Sequence, residues 1–264
     1  MTTVPSLETV NLQHDAGVLV VTLNRPDVLN AVNEQLARDL NEALKLADRD
    51  TTVRAVVLTG SGRGFCSGQD LRDRAGAATI AYGESLRKRY NPIILRLWTM
   101  EKPVIAAVNG VAAGAGCSLA LAADLRIASD RASFIEIFSR IGLVPDSGST
   151  YFLPRLVGLG RALELAYTAE PVDAPRALQM GLVNRVVAHE ELMAQTLEFA
   201  KRLAAGPTTG YGLTKRGMTF ALHATLEQAL DYEAHLQEIA GRTADHREGV
   251  AAFAEKRAAQ FRGT

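Results

Sequence analysis

A single acid stands in an apolar, glycine-broken stretch of the chain. In residues 141–155 the one carboxylate is Asp146, between Pro145 and Ser147. Apolar surroundings raise the pKa of a carboxyl group, and a carboxyl group whose pKa lies near the working pH is an effective general acid–base. Aspartate is also a preferred helix N-cap, and a helix could begin near Ser147. The segment alone therefore predicts either a proton-transferring acid or a helix cap.

A second segment is suited to holding negative charge. Residues 103–108 form an apolar run typical of a strand, followed by Asn109 and Gly110 and then by small residues that open a helix over residues 111–124. A helix N-terminus presents unpaired N–H groups and the positive end of the helix dipole. The pattern predicts an anion site, or else only close helix packing on small side chains.

A third glycine-rich stretch, residues 60–71, follows a strand predicted over residues 53–58. If the two strand-to-helix turns face each other, each can donate one N–H to a single oxygen atom. That is an oxyanion hole, in which loss of one donor typically slows a reaction by about 10²–10³-fold. Asp70, within the turn, is interpreted as a turn acid or an N-cap.

These segments need elements that position them. The sequence predicts a strand at Val18–Leu23 and an amphipathic helix over residues 33–48. Strand and helix patterns then alternate as far as Val187, which is typical of parallel strands covered by helices, an α/β fold. After Gly206 only helical patterns follow. We therefore expect a core over residues 1–205 and a helical oligomerisation segment over residues 206–264, whose apolar stripe comprises Leu226, Leu230, Leu236 and Ile239.

Composition excludes several classes of partner. The 264 residues include 29 basic and 29 acidic side chains, so the formal net charge is zero and no general basic field attracts nucleic acid. No apolar run reaches the length that spans a membrane. Residues 1–8 lack the charged and apolar regions of a signal peptide, so we expect a cytoplasmic protein with no membrane or nucleic-acid partner.

Cysteine and histidine chemistry is not expected. Cys66 and Cys117 both lie in the glycine-rich turns, where we interpret them as small buried thiols. All five histidines lie outside residues 58–155, and no Cys/His cluster has the spacing of a metal site. We expect neither a metal nor a cofactor, so catalysis would depend on a carboxylate and on backbone N–H groups.

Several of these segments together resemble the enoyl-CoA hydratase/isomerase, or crotonase, superfamily. The resemblance follows the family order over almost the whole chain. It is carried by residues 23–31, 64–70, 102–116, 123–129, 142–158, 177–187 and 248–256.

The resemblance implies a fold and a set of site residues. The fold would be a crotonase-type spiral of ββα units with a C-terminal helical segment, assembled as a homotrimer or a dimer of trimers. Acyl-CoA would be the substrate, so that CoA enters with the substrate and not as a cofactor. By motif position the backbone N–H groups of Gln69 and Ala115 would hold the thioester oxygen. The second position is commonly glycine in the family, and alanine there narrows the backbone approach.

Two further positions resemble the family less closely. Lys256 and Phe261 match places from which relatives touch CoA, although Lys256 is equally well interpreted as a surface base. The shape of the acyl pocket depends on loops such as residues 72–81.

The acids distinguish the reaction. Enoyl-CoA hydratases carry two glutamates at positions that are here Ser118 and Phe138. The pattern over residues 134–155 instead resembles the isomerase subgroup of bacterial phenylacetate degradation, which implies Asp146 as the single acid–base. Glu136 is interpreted as a solvated or interface charge, and Glu84 as a surface acid.

The residues and the family resemblance together imply an acyl-CoA isomerase that acts on 2-(1,2-epoxy-1,2-dihydrophenyl)acetyl-CoA and also converts 3-enoyl-CoA to 2-enoyl-CoA. Alternatives are a residual enoyl-CoA hydratase, a dehalogenase-like enzyme that uses Asp146 as a nucleophile, and a non-catalytic CoA- or RNA-binding relative. The dehalogenase alternative needs a histidine base, which the region around Asp146 does not supply.

Overall fold

Two sheets organise the chain. The structure, a computed structural model, describes residues 7–73 and 81–264. The strands of this part are β1 (Val10–Asp15), β2 (Val18–Leu23), β3 (Ala55–Gly60), β4 (Gly64–Cys66), β5 (Val104–Val108), β6 (Val111–Ala113), β7 (Leu125–Ser129), β8 (Ser133–Ile135), β9 (Val172–Asp173) and β10 (Arg185–Val187).

Helices cover the sheets and make up the end of the chain. They are α1 (Glu34–Arg49), α2 (Tyr82–Ser85), α3 (Asn91–Thr99), α4 (Ala115–Ala122), α5 (Ser149–Val157), α6 (Leu159–Thr168), α7 (Ala174–Gln179), α8 (Leu192–Ala204), α9 (Thr208–Ala221), α10 (Leu226–Gly241) and α11 (Ala244–Glu255). A π-helical turn, Leu86–Tyr90, joins α2 to α3, and short 3₁₀ turns occur at Pro26–Val28, Leu71–Asp73, Ile137–Ile141 and His189–Glu191.

The strands alternate between the two sheets. The larger sheet has the order β1-β2-β3-β5-β7-β10 and the smaller one β4-β6-β8-β9. Each of β3, β5 and β7 in the larger sheet is followed along the chain by a short strand of the smaller sheet. Within the larger sheet β5 pairs in parallel with β3 and β7, and within the smaller sheet β6 pairs in parallel with β4 and β8. The predicted α/β fold of repeated units, each a long strand, a short strand and a helical turn, is confirmed.

The central strands β3 and β5 are almost entirely apolar because both faces of the larger sheet are covered. Alternate side chains of one face, including Val57 and Ile105, pack with apolar residues of α8. Those of the other face, including Val56 and Leu58, join the main core with α1 and α3. A parallel sheet that is buried on both sides favours such continuous apolar runs over polar–apolar alternation.

Local signals place some elements to within a residue or two. Helix α1 begins after Asn33, whose side chain accepts a hydrogen bond from the Leu36 N–H at 2.9 Å. The strand predicted over residues 53–58 lies two residues later, at Ala55–Gly60. The helix predicted over residues 111–124 is wrong at its start, because Val111–Ala113 pairs with β4 and β8 as strand β6. The helix begins only at Ala115, after Gly114 turns the chain with φ 51°.

The helical end of the chain is attached to the core by buried and half-buried polar contacts. Arg54, at the start of β3, donates to the hydroxyl of Thr208 at 2.9 Å and to the backbone oxygen of Phe261 at 3.1 Å. Lys215 of α9 pairs with Asp124 at 2.8 Å. The described residues after Gly206 contain helices and no strand, as predicted. The division into a core and an oligomerisation segment stays a prediction.

The apolar stripe of α10 is divided between the interior and the surface. Leu236 is buried, whereas Leu226 and Leu230 are 76% and 55% exposed. Among the described helices, none is long and apolar enough to cross a membrane.

The two glycine-rich turns touch at the start of α4. A Cβ atom on Gly116 would lie 2.0 Å from the backbone oxygen of Cys66, at the end of β4. A methyl group there must push backbone away from backbone, which no change of side-chain rotamer can relieve. This contact therefore requires glycine.

We predict that Gly116→Ala lowers the free energy of unfolding by about 1–3 kcal/mol, the range typical of overpacked cores. Gly160→Ala is the matched control, because a Cβ atom at this helical glycine meets open space. The control should raise stability by about 0.5–1 kcal/mol, since alanine loses less backbone entropy on folding. Urea unfolding measures both values. A Gly116→Ala protein as stable as the parent would contradict the contact.

We further predict that the chain assembles as a trimer or a dimer of trimers through its helical end. Replacing Leu226 and Leu230 together by serine should shift the sedimenting species towards the monomer, because it removes exposed apolar surface. Far-UV circular dichroism should be unchanged. The same change at Leu178, exposed on α7, serves as the control. An unchanged sedimentation coefficient would contradict the role of α10.

Candidate active site

A cleft opens beside the two glycine-rich turns. Four segments contribute to it: the turn after β4, the helical stretch from α2 to α3, the start of α4 and the segment that precedes α5. Its described lining consists of Ser67, Gly68, Gln69, Leu71, Tyr82, Ser85, Leu86, Tyr90, Gly114, Ala115, Ile137, Phe138, Ile141, Leu143 and Asp146. The loop of residues 72–81 is expected from the sequence to shape the pocket. Residues 74–80 of this loop lie outside the described residues.

The turns are held together by direct backbone contact. Gly68 has a φ of 92°, and a Cβ atom on it would lie 2.7 Å from the Ala113 oxygen and 3.4 Å from the Ala115 nitrogen. Only glycine adopts this conformation and leaves this space. The contact brings the backbones at Gln69 and Ala115 side by side on the cleft.

The N–H groups of both residues are directed away from the surrounding secondary structure. Val32 donates to the Gly68 oxygen at 2.7 Å and accepts from the Asp70 N–H at 2.9 Å. In a parallel bridge, the residue between two such bonds directs its own N–H to the opposite side. Ala115 is the first residue of α4, so its N–H has no acceptor within the helix. The geometry allows two donors to meet one oxygen atom, with the helix dipole adding positive potential.

Alanine fits at position 115 because the unusual backbone geometry falls one residue earlier. Gly114 carries the positive φ, while Ala115 lies within the regular helix. Ala115 is 5% exposed and belongs to the main core. The family's usual glycine is therefore not required here for backbone conformation.

Side chains fix the turn that carries Gln69. The Tyr90 hydroxyl donates to the side-chain oxygen of Gln69 at 2.6 Å, and the Gln69 amide donates to the Val32 oxygen at 3.1 Å. Asp70 pairs with Arg25 at 2.9 Å and accepts from the Arg72 N–H at 3.1 Å, which confirms it as a turn acid.

Asp146 lines the cleft from the segment before α5. The helix-cap interpretation of this residue is wrong, because α5 begins at Ser149 and its N-cap is Gly148. The backbone oxygen of Asp146 accepts from the Ser149 N–H at 3.0 Å, and its carboxylate accepts from the Ser147 hydroxyl at 2.9 Å. Among the described lining residues, Asp146 is the one carboxylate.

The two positions at which hydratases carry glutamate differ in their surroundings. Phe138 is 6% exposed and lines the cleft with its ring. Ser118 is fully buried behind the lining, and its hydroxyl donates to the Asp146 backbone oxygen at 2.9 Å. Neither position offers an ionisable group to a substrate.

The interpretation of Glu136 as a solvated or interface charge is wrong. The residue is 3% exposed, and its carboxyl group forms a hydrogen bond with the Ser149 hydroxyl at 2.9 Å. Strand β8 ends at Ile135 and a 3₁₀ turn starts at Ile137, so Glu136 and Phe138 do not share a strand face. Burial raises the pKa of the Glu136 carboxyl group.

The other titratable candidates behave as the sequence indicates. Cys66 and Cys117 are buried free thiols, and burial raises the pKa of Cys66 to about 12, so neither is a ready nucleophile. Glu84 is exposed and pairs with Lys88 at 2.6 Å, which confirms it as a surface acid.

The structure does not bring the two weaker candidates to the cleft of the same chain. Lys256 ends α11, and the ring of Phe261 lies beside Gly249 of that helix. Neither is among the residues that line the cleft. A CoA contact from these residues stays a prediction.

Sequence reasoning missed the aromatic wall of the cleft. Tyr82 and Tyr90 flank residues 84–89, whose four charged side chains are typical of a solvated helix face. A π-helical turn over Leu86–Tyr90 inserts an extra residue and so changes which side chains face inward. The apolar residues within this charged stretch were the available signal.

Comparison with known proteins agrees with this architecture. Residues 13–264 match the protein family described as enoyl-CoA hydratase/isomerase. The chain is 47% identical over 253 residues to a 1,2-epoxyphenylacetyl-CoA isomerase from Escherichia coli, covering 94% of this chain and 96% of that protein. It is 44% identical over 258 residues to a probable enoyl-CoA hydratase from Rhodobacter capsulatus, covering 98% and 99%.

A solved structure of a putative enoyl-CoA hydratase from Streptomyces coelicolor superposes with a TM-score of 0.93 at 37% identity, covering 100% of this chain and 98% of that one. Family match, relatives and fold agree over almost the full length. The chain therefore belongs to the enoyl-CoA hydratase/isomerase family.

Proposed function

We propose that this protein is an acyl-CoA isomerase that moves a proton, and with it a double bond or ring bond, beside a thioester. The observation that carries the proposal is the distribution of carboxylates. Asp146 is the one carboxylate among the described residues that line the cleft. A phenyl ring and a buried hydroxyl group occupy the positions at which hydratases are expected to carry two glutamates. Hydration needs a held and activated water, whereas isomerisation needs one group that removes a proton and returns it.

In the proposed mechanism the thioester oxygen accepts hydrogen bonds from the N–H groups of Gln69 and Ala115. Negative charge that develops on this oxygen lowers the barrier to removing a proton from a neighbouring carbon. Asp146 takes that proton and returns it to another carbon of the same substrate. No atom is gained or lost, and no cofactor is needed besides the CoA that the substrate carries.

The preferred substrate in this proposal is 2-(1,2-epoxy-1,2-dihydrophenyl)acetyl-CoA, whose ring would expand to an oxepin-type heterocycle. The same proton shift would convert a 3-enoyl-CoA to a 2-enoyl-CoA. The name of the Escherichia coli relative supports the aromatic-derived substrate. The lining of the cleft supports it as well, since Tyr82, Tyr90 and Phe138 offer apolar faces to a flat ring.

Enoyl-CoA hydratase is the second candidate function. It is favoured by the names of several relatives, including the one from Rhodobacter capsulatus. The chemistry of Ser118 and Phe138 argues against it. A direct comparison of the two reactions separates the candidates.

We predict that Asp146→Asn lowers kcat for 3-enoyl-CoA isomerisation by at least about 10²-fold, the lower range for loss of a general acid–base. Affinity for CoA and the thermal unfolding temperature should change little, because the amide keeps the size of the carboxylate. Asp231→Asn, at an exposed position on α10, is the matched control. Near-normal turnover by Asp146→Asn would refute the assignment.

We also predict that the unmodified protein isomerises 3-enoyl-CoA at least about 10²-fold faster than it hydrates 2-enoyl-CoA, since it lacks the second acid. Introducing glutamate at both Ser118 and Phe138 should raise hydration above that of the parent, provided that circular dichroism shows a folded double variant. Buried carboxylates are costly, so the fold control is essential. Efficient hydration by the unmodified protein would overturn the isomerase assignment.

A further inference from the structure

A buried chain of hydroxyl groups lies behind the cleft. It starts at Glu136, passes to the Ser149 hydroxyl at 2.9 Å, continues to the Ser118 hydroxyl at 3.1 Å and ends on the backbone oxygen of Asp146 at 2.9 Å. Glu136, Ser149 and Ser118 are each at most 3% exposed. This hydrogen-bond chain therefore connects the buried acid Glu136 to the backbone of Asp146, which lines the cleft.

The number of available hydroxyl hydrogens decides in which protonation state of Glu136 all the hydrogen bonds of this chain can form. It has three links, and each serine contributes one hydroxyl hydrogen. With Glu136 ionised, Ser149 donates to it, and the one hydrogen of Ser118 cannot serve both Ser149 and the Asp146 oxygen. With Glu136 protonated, the acid donates to Ser149, Ser149 to Ser118 and Ser118 to Asp146, so every link is filled.

The surroundings of Glu136 favour the neutral form. Within the described part of the chain, its second carboxylate oxygen is buried without a hydrogen-bond partner, which is far more costly for a charged than for a neutral group. Burial is the largest effect and raises the pKa of Glu136. Contacts with the Ser149 hydroxyl and the Cys117 thiol offset part of that rise, and the nearby charge of Asp146 adds a smaller increase. The groups that face it are the Cys117 thiol from α4, Asp146 from the segment before α5 and Glu170 from the segment before β9. None of them is a cation.

We infer that neutral Glu136, acting through Ser149 and Ser118, is a positioning residue that holds the backbone of Asp146 at the cleft. This inference rests on the proposed function, because it takes Asp146 to be the acid–base. Ser118 also contacts the Gly114 oxygen at 3.2 Å, next to the first N–H of α4. The Ser118 hydroxyl thus lies between the backbone of Asp146 and the start of the helix that supplies one oxyanion donor.

The central experiment compares Glu136→Leu with Glu136→Gln in the full-length protein, assayed by 3-enoyl-CoA isomerisation. Leucine fills similar space but cannot donate, so kcat should fall about tenfold or more while KM changes little. Unfolding stability should hold or rise, since an apolar residue replaces a buried acid. Glutamine can donate to Ser149 through its amide and should restore kcat to within about threefold of the parent. Glu136 and Glu170 line one small cavity, but Glu170 is not part of the hydrogen-bond chain. Glu170→Gln is therefore the control and should leave kcat unchanged.

A pH series tests the protonation state. In the parent, kcat should show a decline as pH rises through the raised pKa of Glu136, and Glu136→Gln should lack that decline. Stability of the parent relative to Glu136→Gln should also be greatest below the ordinary pKa of glutamate and fall as pH rises through the raised one, because the folded state alone retains the proton.

Further variants separate the possible failures. If Glu136→Leu does not fold, Ser149→Ala breaks the same chain and should lower kcat by about five- to tenfold. Adding Glu136→Leu to Asp146→Asn should cause no further loss, because both changes act through one group. A Glu136→Leu or Ser149→Ala protein that is folded and fully active would overturn the inference while Asp146→Asn remains inactive. An active Asp146→Asn protein would instead overturn the proposed function.

Discussion

The site depends on a contact between two backbones. Gly68 and Gly116 let the turn after β4 approach the start of α4 so closely that a methyl group on either would meet a backbone oxygen at 2.7 Å or 2.0 Å. Two N–H groups can converge on one oxygen atom only if the peptide units that carry them are neighbours. Parallel pairing of β4 with β6 sets the distance between the two peptide units, because the carboxyl ends of both strands lie side by side in the smaller sheet. A rigid pair of donors stabilises developing charge without reorganising during the reaction.

The segment before α5 carries the acid of the cleft, and the described lining of the cleft lacks the pair of glutamates expected of an enoyl-CoA hydratase. A fold shared by many enzymes does not specify a reaction, which depends on the groups presented at the site. Here the α4 position at which a hydratase is expected to carry glutamate is Ser118, whose hydroxyl donates to the backbone oxygen of Asp146. Phe138 removes the second acid from the cleft and leaves an apolar surface. One half-buried carboxylate with a buried polar support suits proton transfer between two carbons better than activation of a water.

The sequence determined the local framework. Apolar runs predicted strands β3 and β5 with glycine-rich stretches after them, although each stretch contains a short strand of the smaller sheet before any helical turn. The single acid of residues 141–155 does line the cleft with Gln69 and Ala115. The α1 helix follows its amphipathic pattern and begins after its Asn33 cap. These features could be predicted because they arise from interactions between residues that are close in the chain: capping, the conformational freedom of glycine and the period of apolar side chains.

Tertiary structure decided the features that depend on partners distant in sequence. Strand β6 is only three residues long and exists because β4 and β8 flank it, so small residues that favour a helix form a strand instead. Glu136 resembles a surface acid in sequence, yet α4 and α5 enclose it and supply its hydrogen bond. The inward direction of Tyr90 similarly depends on a π-helical turn. Whether a residue is buried or paired depends on the elements that pack against it. Those elements come from distant parts of the chain, so the segment that contains the residue does not specify them.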